Sequence, residues 1–129
     1  MWLFTRYGFY SVACADGPDS KLDPDTVMVK ARRRRHLHIL QDRFPSLSSA
    51  DIVTLKARDY RYRIIIPKEL WVSVVVDLVR EQDWSNFKKE AARYQGAKGV
   101  DYVDSLHDVW SVVYGLQETE PATERETKK

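Results

Sequence analysis

The spacing of the apolar residues changes along this chain, and the changes restrict the folds that it can adopt. Residues 2–14 are rich in aromatic and β-branched side chains and predict a first strand, with Gly8 as a bulge or a point of close approach. A turn-rich acidic loop follows over 16–25, and residues 26–30 predict a second strand, antiparallel to the first. The apolar spacing then becomes three and four, which is typical of a helix, and Pro45 ends it.

The second half of the chain repeats this change of period. Residues 60–66 alternate in character and predict a strand, and 52–55 predict a shorter one. The segment 67–81 begins with a proline, which suits the first position of a helix, and its length favours a helix. Apolar residues also alternate within this segment, so a strand remains the alternative to a helix. A helix capped by Ser85 and a last helix that buries Trp110 on its inner face complete the prediction.

This element order predicts an α+β fold: a small, mostly antiparallel sheet with helices packed on one face. The ferredoxin-like arrangement is the nearest common architecture by element order. A chain of 129 residues with 43% apolar residues can form one domain with a real core, which excludes global disorder. We expect that domain to span 1–117. Residues 118–129 carry no large apolar side chain and predict a disordered charged tail.

Several classes of protein are disfavoured by composition. The lone cysteine, Cys14, cannot form an internal disulfide or a cysteine-rich zinc site. The uncharged apolar stretches are far shorter than the roughly 17–25 residues that span a bilayer. The first apolar run is broken by Arg6 and does not resemble a secretory signal. We therefore expect a cytoplasmic protein with no membrane partner.

The opening Met1–Ser11, MWLFTRYGFYS, resembles the start of a group of small bacterial proteins for which no activity is known. The similarity continues through Asp59–Arg63 (DYRYR) and Asp83–Lys88 (DWSNFK), and it covers most of residues 1–117. The acidic loop is longer here than in that group. The resemblance implies a compact bacterial cytoplasmic domain, and it supplies no site residues.

Positive charge is concentrated in one segment. Residues 30–63 hold ten basic and three acidic residues, a net charge of +7, although the whole chain carries only +2. Four consecutive arginines at the start of a predicted helix cannot share one face, and the helix dipole disfavours cations there. A bound anion would explain them, so we expect a nucleic acid or a phosphate-containing ligand. The candidate anion-binding residues are Arg32, Arg33, Arg34, Arg35, Arg61 and Arg63.

Two features leave simpler interpretations open. The arginine run could be a solvated helix that pairs with the acidic loop over 16–25. In the segment 60–63, tyrosines alternate with arginines, as in sheets that stack bases and hold phosphates. Strand alternation, however, places the tyrosines and the arginines on opposite faces. The tyrosines could therefore belong to the core, which would leave only the arginines for a ligand.

The sequence is compatible with other functions beside a non-catalytic binding module. A small enzyme or metabolite-binding protein could form a pocket between sheet and helices with His36, Asp59 and Tyr60. No nucleophile or phosphate-loop motif supports catalysis, so an enzyme is the less favoured class, and no cofactor is expected. His36 and His38 lie about 200° apart on a helix and cannot share a metal ion. A protein-interaction or oligomerisation domain is the third alternative.

Overall fold

The computed structural model describes residues 1–125, and these form two compact units, Met1–Ser85 and the segment that begins at Asn86. Within the described residues lie five strands and four helices of nine or more residues. The small α+β class predicted from the sequence is confirmed. Residues 126–129 of the predicted tail lie outside the described residues.

The first unit is built on a five-stranded antiparallel sheet with the strand order β1-β2-β3-β5-β4. The prediction of a single strand over 2–14 is wrong, because the chain reverses at Arg6 and Tyr7. The Thr5 hydroxyl stabilises this turn by accepting hydrogen bonds from the backbone N–H groups of Tyr7 and Gly8, both at 3.1 Å. The strands are β1 (Trp2–Thr5), β2 (Gly8–Asp16), β3 (Leu22–Ala31), β4 (Val53–Thr54) and β5 (Tyr62–Pro67).

Helices α1 (Arg34–Arg43) and α2 (Lys68–Arg80) pack on one face of this sheet. The helix predicted over 67–81 is therefore confirmed, and its extended alternative is wrong. Alternate residues of the three central strands form the core with the helices, as a half-buried antiparallel sheet requires. The fully or nearly fully buried members include Tyr10, Val12, Val27, Val29, Leu37, Leu40, Ile64, Ile66, Trp71 and Val74.

The ferredoxin-like element order predicted from the sequence is present from β3 to α2. Every paired strand in the sheet is antiparallel. Helix α1 connects β3 to the β4–β5 hairpin, whose longer strand then pairs antiparallel with β3 itself. Strands β3 and β4 therefore run parallel with β5 between them, and α1 is the crossover helix that joins them. This split βαβ unit, followed by α2, is the arrangement of ferredoxin-like folds, and β1 and β2 precede it in the chain.

Gly8 is a point of close approach, as predicted. Its φ of +155° lies in a region that side chains rarely adopt, and a Cβ atom there would lie 2.3 Å from Cγ of His36. The predicted antiparallel pairing of the strands that flank the acidic loop is also confirmed. The absence of a side chain at Gly8 thus allows α1 to pack directly on β2.

The second unit contains α3 (Phe87–Gln95) and α4 (Val100–Glu118), joined by a tight turn over Gly96–Gly99. Asn86, rather than Ser85, caps α3, because its side chain accepts a hydrogen bond from the Lys89 N–H at 3.0 Å. Glu90 is buried and forms a two-pronged ion pair with Arg93.

The predicted burial of Trp110 is wrong, because this side chain is 52% exposed. Helix α3 begins beside Trp110, where Nζ of Lys88 lies 4.7 Å from the centroid of the indole ring. Helix α4 has nineteen residues against nine in α3, so its last turns extend past α3. Residues 119–125 are exposed, although Ala122–Arg125 form a helical turn. The domain boundary expected near Gln117 stays a prediction.

Candidate functional site

The arginine run lies at the junction of β3 and α1. Ala31 pairs with Tyr62 in the sheet, so the chain remains extended up to this point. Arg33 has the extended backbone of a residue that precedes a helix (φ −119°, ψ 130°), and α1 begins only at Arg34. The prediction that all four arginines lie in the helix is therefore wrong. The residues project from a bend at Arg32 and Arg33 and from the first turn of α1.

Arg32 and Lys30 lie against the ring of Tyr60. The guanidinium carbon of Arg32 is 4.2 Å from the ring centroid, and Nζ of Lys30 is 5.3 Å from it. Arg32 also donates to the backbone oxygen of Asp59 at 2.9 Å and to its carboxylate at 3.2 Å. Both partners of this ion pair are more than half exposed, so it contributes little to stability.

Arg63 lies directly across the sheet from Lys30, because the two residues are Cα partners on β5 and β3. Its guanidinium donates to the backbone oxygen of Tyr60 at 3.2 Å and contacts the Met28 sulfur at 3.5 Å. Its buried Nε has no hydrogen-bond partner within the described residues. Like charges in directly opposed positions destabilise a sheet, so folding alone does not account for this pair. We refer to Lys30, Arg32 and Arg63 as the basic row.

The other predicted cations lie elsewhere. Arg34 donates to the Thr54 hydroxyl at 2.6 Å and lies over the ring of Tyr62, which packs against the core on the helix side of the sheet. Arg35 is half-buried, while Arg33 and Arg61 are exposed. Of the six predicted residues, the structure therefore brings Arg32 and Arg63 together and adds Lys30 to them.

The acidic loop lies at the far end of β3. Asp25 is near the start of this strand and Arg32 follows its last residue, so about 20 Å of extended chain separates them. Asp23 accepts a hydrogen bond from the backbone N–H of Asp25, and this bond is the main reason that the pKa of its carboxyl is lowered. The ion pair of Arg32 is formed with Asp59 instead.

The sheet separates the residues of the predicted alternative pocket. His36 is buried on the helix side, where its Nδ1 accepts a hydrogen bond from the Phe9 N–H at 3.3 Å. Burial, reinforced by the charges of Arg35 and Arg33, lowers its pKa to about 4. Tyr60 packs near Phe9 on the opposite side, with Asp59 exposed beside it. The structure does not bring His36 together with the other two residues.

Three aromatic residues that the sequence analysis missed lie on the face of the sheet opposite the helices, here called the outer face. Register places Trp2 opposite Ser11 and Phe4 opposite Phe9. The Phe4 and Phe9 rings stack at 4.4 Å, and Trp2 meets Phe9 edge-on at 5.8 Å. Placing a turn at Arg6 and Tyr7 would have revealed the group, because a hairpin there puts all three rings on one face. We refer to Trp2, Phe4 and Phe9 as the aromatic platform.

A second charged cluster holds the first unit together. The Tyr7 hydroxyl donates to Glu81 at 2.5 Å and accepts from Arg43 at 3.1 Å, while Arg43 donates to Glu81 at 2.6 Å. Arg6 forms an ion pair with the same carboxylate and lies over the ring of Trp84. Burial and the bond to Glu81 raise the pKa of Tyr7. The cluster links the first hairpin to the ends of both helices, which is a structural role.

Comparisons with protein-family models, curated proteins and solved structures gave no match to this chain. Within residues 1–125, no helix combines the length and the apolar character that crossing a membrane requires. The same residues contain no group of three or more His, Cys, Asp or Glu side chains arranged to hold a metal ion. The candidate site therefore rests on the geometry of the basic row.

Proposed function

We propose that the first unit is a non-catalytic binding module for an anionic partner, a nucleic acid or a phosphate-containing ligand, which contacts the basic row. The observation that carries this proposal is the cross-strand pair of Lys30 and Arg63, with Arg32 beside it. Three cations placed this closely repel one another, and a phosphate group would relieve that repulsion.

The weak ion pair between Arg32 and Asp59 supports the same proposal. Its guanidinium is held by Asp59 in an exposed pair, and such pairs contribute on the order of 0–1 kcal/mol. A phosphate can therefore displace the carboxylate at small cost and accept two parallel hydrogen bonds from the same fork. Arg63 is anchored to the backbone of Tyr60, so it presents its charge in a defined position.

Salt-dependent binding tests this proposal. Fluorescence anisotropy would measure the affinity of the full chain for a labelled single-stranded oligonucleotide, with inorganic polyphosphate as competitor. The double variant Lys30→Gln/Arg32→Gln should weaken binding, and the slope of log affinity against log salt should fall by about 1.4 for two lost phosphate contacts. The control Arg80→Gln/Lys89→Gln removes the same charge from exposed positions elsewhere.

The control variant should keep the affinity and the salt slope of the wild type. Equal losses in both variants would mean that net charge attracts the ligand and that the basic row is not a site. Absence of binding to either polyanion at low salt would overturn the proposal. Circular dichroism should show that both variants are folded.

Self-association through α4 is the second candidate function, and an exposed apolar stripe favours it. Val109, Val112, Val113 and Leu116 recur at helical spacing with Trp110 and Tyr114 beside them, and all six are exposed. Together they expose roughly 600 Å² per copy, so a symmetric contact between two copies would bury about 1,200 Å², the lower limit for specific interfaces.

Sedimentation velocity tests this second candidate. Two copies should associate as concentration rises, and Leu116→Glu should return the protein to a monomer. Leu22→Glu, at an equally exposed apolar position in the first unit, is the matched control and should leave association unchanged. A wild-type protein that stays monomeric over a hundredfold range of concentration would exclude this contact.

A further inference from the structure

We propose that the outer face binds single-stranded nucleic acid, with bases stacked on the aromatic platform and phosphates held by the basic row. This inference rests on the proposed function and names its ligand. The platform occupies β1 and the start of β2, and the basic row begins on the next strand, β3. Both groups therefore lie on neighbouring strands of one continuous face.

Register gives the spacing between the two groups. Trp2 pairs with Ser11, Ser11 with Lys30 and Lys30 with Arg63, so the four residues form one line across the sheet. Strands lie about 4.8 Å apart, which places the Cα atoms of Trp2 and Lys30 about 10 Å from each other. Ser11 is small and buried, so no long side chain stands between the ring and the ammonium group.

The exposure of the platform suits stacking. Trp2 is 69% exposed, although it forms a T-shaped contact with Phe9, so its ring is supported and still accessible. Phe4 and Phe9 are stacked on each other and half-buried, which holds them rigidly. Sheet faces that bind single strands stack two or three bases on aromatic rings in this manner. A mononucleotide or inorganic phosphate would leave most of this surface unused.

Charge selects among the partners that an aromatic face could accept. In a symmetric contact between two copies of this face, the basic rows would lie near each other, and like charges oppose such an interface. Duplex nucleic acid would satisfy the basic row but would present no unstacked bases to the rings. A single strand offers phosphates and exposed base faces together, so it matches both groups.

Substitutions on the platform test the inference. Anisotropy would compare a labelled twelve-nucleotide oligo(dT), oligo(U) of the same length, a duplex of the same length, and inorganic polyphosphate as competitor. Trp2→Ala should weaken binding of the single strands about five- to 150-fold, the range for loss of one stacked base. The inhibition constant of polyphosphate, measured against the oligonucleotide that still binds, should be unchanged. Comparison of the two oligomers distinguishes DNA from RNA.

Controls separate the failure of stacking from the failure of anion binding. Tyr94→Ala removes an exposed aromatic ring of the second unit outside the α4 stripe and should leave affinity unchanged, and Phe9→Leu should reproduce the loss while keeping an apolar side chain. Single-strand affinity that is unaffected by Trp2→Ala but lowered by Lys30→Gln/Arg32→Gln would overturn the inference and retain the proposed function. Equal affinity for duplex and single strand would also overturn it. Absence of binding to every polyanion would overturn both.

Discussion

The buried imidazole of His36 makes the stability of the first unit depend on pH. Its Nδ1 accepts the Phe9 N–H, so a proton at that nitrogen would replace a hydrogen bond with two opposed donors. Burial and the nearby charges of Arg35 and Arg33 also disfavour the imidazolium, and the pKa in the folded protein is about 4. In the unfolded chain, the same group has a pKa near 6.5.

The sign follows from this difference. Between about pH 6.5 and pH 4, the unfolded state binds a proton that the folded state does not, so acid favours unfolding. The full contribution is present above pH 6.5 and is lost as the pH falls towards 4. The two values predict a loss of about 2 kcal/mol between pH 7 and pH 5, and of about 3 kcal/mol by pH 4.

Urea denaturation at several pH values, followed by circular dichroism, measures this loss. His36→Asn keeps an acceptor near the position of Nδ1 without a titrating group, so its stability should fall about 2 kcal/mol less than that of the wild type between pH 7 and pH 5. His38→Asn, at an exposed position of the same helix, should follow the wild type. Parallel profiles for the wild type and His36→Asn would refute the reasoning. If His36→Asn does not fold, an NMR titration of the wild-type imidazole should still give a midpoint near pH 4.

Three further predictions concern packing and the chain end. Gly8→Ala should lower the free energy of unfolding by about 3 kcal/mol, because its Cβ would clash with His36 at an unfavourable φ; urea midpoints equal to wild type would contradict this. Trp110→Ala should cost less than about 1 kcal/mol in dilute solution, since the ring is half exposed, and a loss near 4 kcal/mol would show that it is buried. Truncation after Gln117 should leave the melting temperature essentially unchanged, because residues 118–125 are exposed. A drop of many degrees would show that this segment is docked.

Local signals account for most of the secondary structure that the sequence predicts. The alternation over 60–66 and the helical spacing after Pro67 depend only on neighbouring residues, and both elements are present. The hairpin within 2–14 was missed because arginine and tyrosine, at positions 6 and 7, are not residue types typical of turns. Their turn is stabilised by the hydroxyl of Thr5, and its reversal places Tyr7 against Glu81, far along the chain.

The sequence by itself determined the α+β class, the helix over 67–81 and the concentration of positive charge between 30 and 63, because periodicity and charge are properties of neighbouring residues. Tertiary structure decided which cations act together. Strand register brings Arg63 opposite Lys30, and the sheet separates both from Arg34. It also decided that Trp110 is exposed, since burial depends on what packs over the ring, here Lys88 at the start of α3, and not on the stripe that carries the residue.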